Sequence, residues 1–165
     1  MHSPYGILFV CLGNICRSPL AEGLFRAQLE EDESLRARLL VDSCGTGEWH
    51  VGKPPHIESQ NVARSFGIDI SAQRARRLSS EDTKDFSLFI AMDRANKNDI
   101  QSMLGEGIKV HCLREFDPER SPSDRDALDV PDPYFGAVDG FKEVAIIINR
   151  SIEPLLEHIR QELAE

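Results

Sequence analysis

The sequence has few cysteines, few positively charged residues and no long apolar run, and each of these absences excludes a class of function. Only four of its 165 residues are cysteines, and Cys11 and Cys16 have no second close pair or neighbouring histidine that would complete a zinc site. Positive charge is also scarce, with 19 Lys and Arg against 28 Asp and Glu and a net charge of −9. Nucleic acids and anionic membranes are therefore poor general partners.

Long apolar runs are missing as well. No stretch is long enough to span a membrane, and the N-terminus does not have the pattern of a signal peptide. Because secreted proteins are the ones that form disulfides, we expect the cysteines to be reduced thiols in a cytoplasmic protein. The sequence does not indicate an oligomeric state.

The order of apolar segments predicts the fold class. The chain has no internal repeat, and its length suits one domain over residues 1–165. Apolar runs near residues 6, 39, 87 and 108 predict four short strands. Helical spacing in the segments 20–29, 56–66 and 94–104 separates them, and Gly67 and Gly105 suit the ends of the last two helices. Strands that alternate with helices predict a parallel sheet covered on both faces.

The second half of the chain carries two further predictions. Residues 115–133 are polar and proline-rich without periodicity, which predicts a long loop, and long loops in compact domains are often functional. An apolar stripe from Phe141 to Leu163 predicts a long C-terminal helix. Because Pro154 removes a backbone hydrogen bond, we expect a kink or a division into two helices near residues 149–154.

The most informative stretch is Cys-Leu-Gly-Asn-Ile-Cys-Arg-Ser-Pro at residues 11–19, between the first strand and the first helix. Ser18 is a plausible N-cap with Pro19 at the first helical position. Such a turn directs backbone N–H groups and the positive end of a helix at one small volume. That positive end and Arg17 both favour the thiolate form of Cys11, the form that acts as a nucleophile. The planar guanidinium of Arg17 also matches two oxygens of a tetrahedral oxyanion.

This Cys-x5-Arg-Ser loop resembles the phosphate-binding loop of cysteine-dependent phosphatases, and the full run resembles low-molecular-weight protein tyrosine phosphatases. The resemblance covers nearly the whole chain and is strongest at residues 7–23, 88–93 and 131–136. It implies an α/β fold with a four-stranded parallel sheet and helices on both faces, in a Rossmann-like, doubly wound arrangement. It also implies hydrolysis of phosphotyrosine and aryl phosphate monoesters through a phosphocysteine on Cys11.

The partners and cofactors follow from the same resemblance. The substrate would be a tyrosine-phosphorylated protein or peptide, and the product would be inorganic phosphate. We expect no metal and no cofactor, because Arg17 and the backbone dipoles supply the positive charge that a cation supplies elsewhere.

A departing phenoxide needs a proton, so a second segment must provide a general acid. Position alone leaves several aspartates open, namely Asp117, Asp124, Asp126, Asp129, Asp132 and Asp139. Asp132 stands out because Pro133 restricts its backbone, while Tyr134 and Phe135 offer apolar walls that favour a protonated carboxyl. The run Asp-Pro-Tyr-Phe-Gly also resembles the acid motif of the family, which implies that Asp132 is the catalytic acid.

The other loop residues are predicted to bind phosphate or to shape the loop. Gly13 lets the backbone approach phosphate, and Asn14 suits a left-handed backbone. The hydroxyl of Ser18 can donate to the thiolate in addition to capping the helix. The predicted phosphate-binding set is Leu12, Gly13, Asn14, Ile15, Cys16 and Ser18.

Cys16 itself has two possible roles. It is either a small apolar filler or, as the resemblance implies, a partner that forms a disulfide with oxidised Cys11.

Aromatic residues predict the substrate preference. Trp49, Tyr134 and Phe135 would wall a slot deep enough for a phenyl phosphate, which favours phosphotyrosine over phosphoserine. Phosphoarginine phosphatases of the same fold typically have threonine where this chain has Ile15. A phosphatase for phosphoarginine or small phosphomonoesters, and a catalytically silent phosphoprotein-binding module, are the alternatives.

Two positions qualify the resemblance. Arsenate reductases of this fold carry further redox cysteines, whereas no cysteine lies between Cys44 and Cys112. Gln73 stands where many members have a histidine that braces the loop asparagine. An amide can still donate or accept a hydrogen bond, so we expect a working loop with slightly altered geometry. The resemblance also implies that Asp93 fixes loops near the site.

Overall fold

The computed structural model describes residues 4–134 and 138–164. Parallel strands form one four-stranded sheet in the order β2-β1-β3-β4. The strands are β1 (Tyr5–Cys11), β2 (Leu39–Gly45), β3 (Leu88–Ala91) and β4 (Val110–Cys112). Each lies near an apolar run of the sequence, so the predicted parallel sheet is confirmed.

Helices follow the strands along the chain. They are α1 (Arg17–Leu29), α2 (Glu33–Arg36), α3 (Ile57–Ser65), α4 (Asp82–Asp85), α5 (Arg94–Leu104) and α6 (Val138–Ala164). Gly67 and Gly105 follow α3 and α5 with φ of +78° and +102°, the left-handed region that glycine adopts at helix ends.

The short helix α2 begins at an aspartate cap. The carboxylate of Asp32 accepts a hydrogen bond from the backbone N–H of Leu35 at 3.0 Å, and this cap starts α2.

The core lies on both sides of the sheet because side chains alternate along β1. Ile7 and Phe9 point to a large apolar cluster with α1 and α6. Leu8 and Val10 point the opposite way, into a smaller cluster that includes Ile100 of α5. The doubly wound arrangement with helices on both faces is therefore confirmed.

The C-terminal helix differs from its prediction. Pro154 lies inside α6, which runs unbroken from Val138 to Ala164, so the division into two helices is wrong. An interior proline costs about 3 kcal/mol. The neighbouring Leu155, Leu156 and Ile159 are almost completely buried, and each such side chain contributes about 1.5–3 kcal/mol. Tertiary packing therefore outweighs the local cost of the proline.

The topology also locates a ligand crevice. Strand β1 leads into α1 on one face of the sheet, while its neighbour β3 leads into α5 on the other. Ligands of open α/β sheets bind beyond the carboxyl ends of such strands, and the loop of residues 12–16 lies there. In the two described ranges, no helix has the length and apolar character needed to cross a membrane.

Candidate active site

The loop after β1 wraps around the sulfur of Cys11. Asn14 has φ of 56°, so it adopts the predicted left-handed conformation. This turn directs its backbone N–H at the Cys11 sulfur, 3.3 Å away. The loop also packs tightly on β2, because a Cβ on Gly45 would lie 2.7 Å from the backbone oxygen of Leu12. Glycine at the end of β2 is thus required for the loop to take this path.

Ser18 contacts the same sulfur instead of capping the helix. Helix α1 begins at Arg17, its N-cap is Cys16, and no side chain bonds there. The hydroxyl of Ser18 lies 3.0 Å from the Cys11 sulfur. The predicted N-cap role of Ser18 is therefore wrong, and Pro19 is the third helical residue rather than the first. The hydroxyl that could have capped the helix contacts the Cys11 sulfur instead.

A chain of side chains behind the loop leads to this hydroxyl. The buried carboxylate of Glu22 accepts a hydrogen bond from the hydroxyl of Ser43 at 2.8 Å. The oxygen of Ser43 then accepts from the Asn14 amide at 3.0 Å, and that amide also donates to the Ser18 oxygen at 2.9 Å. Because the Ser18 oxygen is an acceptor there, its own proton can be donated to the Cys11 sulfur at 3.0 Å or to the Cys44 carbonyl at 3.4 Å. The Asn14 N–H and the Ser18 hydroxyl thus both lie within hydrogen-bonding distance of one sulfur.

The orientation of the Asn14 amide is fixed from its other end as well. Its carbonyl oxygen accepts a hydrogen bond from the backbone N–H of Arg76 at 3.0 Å.

Glu22, at the far end of this chain, is a buried carboxyl. Its burial raises its pKa, and hydrogen bonds from Arg26 and Ser43 oppose that rise.

Arg17 is buried against the wall of the loop, with 3% of its surface exposed. One nitrogen, Nη1, donates to the Asp93 carboxylate at 2.7 Å and to the Val130 carbonyl at 2.9 Å. Burial by itself would lower the pKa of Arg17, but the charges of Cys11, Asp93 and Asp132 hold it above its ordinary value. Arg17 is therefore a fixed cation with one edge tied to the protein.

A cavity of about 270 Å³ opens above the sulfur. Most of the predicted site residues line it, and His50 joins them. The lining consists of Cys11, Leu12, Gly13, Ile15, Cys16, Arg17, Trp49, His50, Asp132 and Tyr134. Cys11 is 3% exposed and Trp49 is 69% exposed, so the sulfur is at the floor and the indole at the rim. Of the predicted set, Asn14 and Ser18 lie behind the lining, and Phe135 lies outside the described residues.

Asp132 lies at the same cavity, but in a more open position than its sequence neighbours predicted. Its carboxylate is 3.7 Å from Nη2 of Arg17, and 47% of its side-chain surface is exposed. Its other oxygen accepts the backbone N–H of Tyr134 at 3.1 Å. The structure therefore brings the predicted acid to the predicted cation in a half-exposed position, and Phe135, one of its two predicted apolar walls, lies outside the described residues.

Comparisons with known proteins address the family. The family model described as low molecular weight phosphotyrosine protein phosphatase matches residues 6–165. A low molecular weight protein-tyrosine-phosphatase of Bacillus subtilis, YfkJ, is 42% identical over 156 residues, covering 94% of this chain and 96% of that protein. A Schizosaccharomyces pombe phosphatase of the same description is 42% identical, covering 85% of this chain and 87% of its own.

Solved structures agree with the sequence relatives. The crystal structure of YfkJ superimposes with a TM-score of 0.86 at 39% identity, covering 98% of each chain. A protein tyrosine phosphatase from Entamoeba histolytica, crystallised with Hepes in its active site, has a TM-score of 0.85 at 30% identity and covers 96% of this chain and 98% of its own.

The chain belongs to the low-molecular-weight protein tyrosine phosphatase family. It is thus an enzyme of the protein-tyrosine-phosphatase class, as the sequence predicted.

Gln73 of the phosphatase stands where the resemblance implied a histidine, and the structure shows what this glutamine contacts. Its amide donates to the Pro19 carbonyl at 3.0 Å rather than to the loop asparagine. Asn14 is instead braced by Ser43 and by the backbone of Arg76. The loop is thus supported from β2 and the segment after Gln73, not by residue 73 itself.

Cys16 is a buried thiol that lines the same cavity as Cys11 in this phosphatase. Burial, followed by the charges of Cys11 and Asp132, raises the pKa of Cys16 to about 12. Cys16 therefore stays protonated near neutral pH. Its two predicted roles, apolar filler and redox partner, both stay predictions.

Sequence reasoning missed three residues of the site in this phosphatase: Glu22, Ser43 and His50. His50 lines the cavity, and its ring lies 5.6 Å from that of Tyr134. Ser43 could have been noticed as a polar residue at the buried end of β2.

Across the described ranges, no three His, Cys, Asp or Glu side chains cluster closely enough to hold a metal ion.

Proposed function

We propose that the phosphatase hydrolyses phosphotyrosine in proteins or peptides, and aryl phosphate monoesters, through a phosphocysteine on Cys11. The observation that carries this proposal is the position of the sulfur. It lies at the floor of a narrow cavity, receives the Asn14 N–H at 3.3 Å and lies 3.0 Å from the Ser18 hydroxyl. The buried cation of Arg17 lines the same cavity. A phosphoryl group there would be bound by positive charge and attacked from below.

The first step forms the sulfur–phosphorus bond. The Cys11 thiolate gives an electron pair to phosphorus, and the bond from phosphorus to the phenolic oxygen breaks. Asp132 gives its proton to that oxygen, so the leaving group departs as a neutral phenol. Because Nη1 of Arg17 is held by Asp93 and Val130, the other nitrogens are the ones available to the phosphoryl oxygens.

The second step restores the enzyme. Asp132, now a carboxylate, takes a proton from water, and the water oxygen attacks phosphorus. The sulfur–phosphorus bond breaks, inorganic phosphate forms, and the electron pair returns to the Cys11 sulfur. The Ser18 hydroxyl, 3.0 Å from that sulfur, donates to the departing thiolate and stabilises it.

The shape of the cavity supports an aryl substrate. Trp49 and Tyr134 lie at its rim, while Leu12 and Ile15 contribute apolar surface to its lining. An aromatic ring between such walls gains contacts that a phosphoserine side chain cannot reach. We also propose a reducing, cytoplasmic environment, because the four cysteines, including the proposed nucleophile, are free thiols.

The test compares three phosphopeptides with matched sequences, carrying phosphotyrosine, phosphoserine or phosphoarginine, together with p-nitrophenyl phosphate. We expect turnover of phosphotyrosine and the nitrophenyl ester, with none by Cys11→Ser. Cys112→Ala, which alters a buried thiol outside the cavity, is the matched control and retains activity. Mass analysis of acid-quenched enzyme should find one phosphoryl group on Cys11. Preferred turnover of phosphoarginine, or activity in Cys11→Ser, would refute the proposal.

A further inference from the structure

A charged clamp joins the start of α5 to the loop segment just before Asp132. Arg94 is the first residue of α5, and it binds Asp129 by both its backbone and its side chain. One carboxylate oxygen of Asp129 accepts the Arg94 backbone N–H at 2.9 Å and Nε at 3.1 Å. The other oxygen accepts Nη2 at 2.9 Å. Both oxygens are thus held by one residue in a bidentate arrangement, the most directional kind of ion pair.

The residues next to this clamp are the ones that hold Arg17. Asp93, directly before the clamp arginine, accepts from Nη1 of Arg17 at 2.7 Å. Val130, directly after the clamp aspartate, accepts from the same nitrogen at 2.9 Å and donates its own N–H to the Met92 carbonyl at 2.8 Å. Arg17 and the loop that carries the proposed acid are therefore held to each other, and to Met92 and Asp93, by hydrogen bonds at one point.

The position of Arg94 is costly for the helix. A cation in the first turn opposes the helix macrodipole, so it weakens α5 unless its charge is compensated. Asp129 and Asp126 provide that compensation, and their hydrogen bonds hold the pKa of Arg94 above its usual range. An arginine at this position is better explained by what it holds than by the helix that it starts.

Asp132 depends on its backbone for position. Its side chain is about half exposed and lies 3.7 Å from Arg17. Asp129 precedes it by three residues, and a chain extends at most about 3.6 Å per residue. Fixing Asp129 therefore confines Asp132 to about 10 Å of the clamp, whereas a freed segment could swing away from the cavity.

We propose that Arg94 and Asp129 are positioning residues for the general acid. Their clamp holds the backbone of residues 129–132 so that the Asp132 carboxyl stays over the cavity while it protonates the leaving oxygen. Neither residue touches the substrate. The inference rests on the proposed function, in which Asp132 is that acid.

The chain offers a matched control in Asp126. It also accepts from Nη2 of Arg94, at 2.7 Å, but 86% of its side chain is exposed. It lies further from Asp132 along the chain and within a separate 3-10 turn, Arg125–Leu128. Asp126→Asn removes the same charge from the same arginine without releasing the segment next to the acid.

The experiment measures kcat/KM for two esters that differ in their need for a proton. Phenol has a pKa of about 10, so phenyl phosphate depends on the acid far more than p-nitrophenyl phosphate does. General acids contribute about 10²–10⁴-fold, and partial misplacement by Asp129→Asn should cost about tenfold on phenyl phosphate and much less on the nitrophenyl ester. Asp126→Asn should leave the ratio of the two rates unchanged. Arg94→Lys, which keeps the charge but loses the bidentate geometry, should fall between Asp129→Asn and the wild type.

A double variant separates failure of the clamp from failure of the proposed acid. In the Asp132→Ala background, adding Asp129→Asn should have no further effect on phenyl phosphate, because both changes act on one proton transfer. If Asp132→Ala itself slows both esters equally, the assignment of the acid is wrong. If Asp132→Ala is selective but Asp129→Asn slows both esters equally, adds fully to Asp132→Ala, or only lowers the melting temperature, the clamp is structural and the inference is overturned.

Discussion

Removing the carboxylate of Asp93 should destabilise the protein and disable Arg17 together. Asp93 has two partners: one oxygen accepts Nη1 of Arg17 at 2.7 Å, and the other caps α5 by accepting the Asn96 N–H at 2.7 Å. An asparagine has only one acceptor oxygen, so Asp93→Asn cannot satisfy both partners. If the amide oxygen caps the helix, the NH₂ group of the asparagine faces the guanidinium. Both groups are hydrogen-bond donors, so neither finds an acceptor.

The expected cost follows from the burial of the pair. Removing one partner of a fully buried ion pair costs about 3–5 kcal/mol, and a hydrogen bond to a charged group contributes about 1.5–3 kcal/mol. Arg17 is 3% exposed, while the Asp93 side chain is 19% exposed, and Arg17 keeps its bond to the Val130 carbonyl. We therefore expect Asp93→Asn to lose about 2–3 kcal/mol. Asp93→Ala should lose about 1 kcal/mol more, because it also removes the cap.

Urea unfolding followed by far-UV circular dichroism measures this cost. Tryptophan fluorescence is a poor reporter because Trp49, the single tryptophan, is 69% exposed. Asp99→Asn, an exposed change on the same helix, is the control and should lie within about 0.5 kcal/mol of the wild type. The activity of Asp93→Asn should fall as well, because Arg17 loses its fixed edge. A variant with wild-type stability and wild-type kcat/KM would refute the view that Asp93 holds Arg17 in place.

Three further predictions concern the loop and its surroundings. Ser43→Ala removes an acceptor of the Asn14 amide. Losing this hydrogen bond, with a net free energy of about 0.5–1.5 kcal/mol, should lower kcat about twofold to twelvefold in steady-state assays. Unchanged kcat would mean that the network does not orient the loop. Gly45→Ala places a Cβ 2.7 Å from a backbone oxygen of the loop, so it should lower the melting temperature and the activity together, by about 1–3 kcal/mol in stability. Because the pKa of Cys16 is raised to about 12, iodoacetamide near neutral pH should modify Cys11 and spare Cys16 in peptide mass analysis. The labelling of Cys16 should increase only in strongly alkaline solution, and equal labelling of both thiols near neutrality would contradict the burial argument.

Features that depend on neighbouring residues were predictable from the sequence. Cys11 and Arg17 belong to one short loop between a strand and a helix, so any chain that forms those two elements brings them together. The four strands and the alternation of helices followed in the same way from apolar runs and helical spacing. Pro154 shows the limit of local reasoning, because its expected break is overridden by the buried face of α6.

Features that depend on strand pairing were not predictable. The bond from Ser43 to Asn14 exists because β1 and β2 pair in parallel with Cys11 opposite Gly45. The contact of Gln73 was not predictable either, because its amide reaches Pro19 in α1 from a distant segment of the chain instead of the loop asparagine. The residue pattern within one segment does not indicate how that segment pairs or packs with a distant one.

The amino-acid sequence alone therefore determined the family, the fold class and the pairing of a cysteine with an arginine in one loop, because these depend on residues close together in the chain. Only the tertiary structure decided which groups surround the Ser18 hydroxyl, how exposed Asp132 is and what anchors the segment before it. Those properties arise from side chains such as Ser43 and Asp129, which are distant along the chain from their partners Asn14 and Arg94 and meet them only when the sheet and its helices have packed.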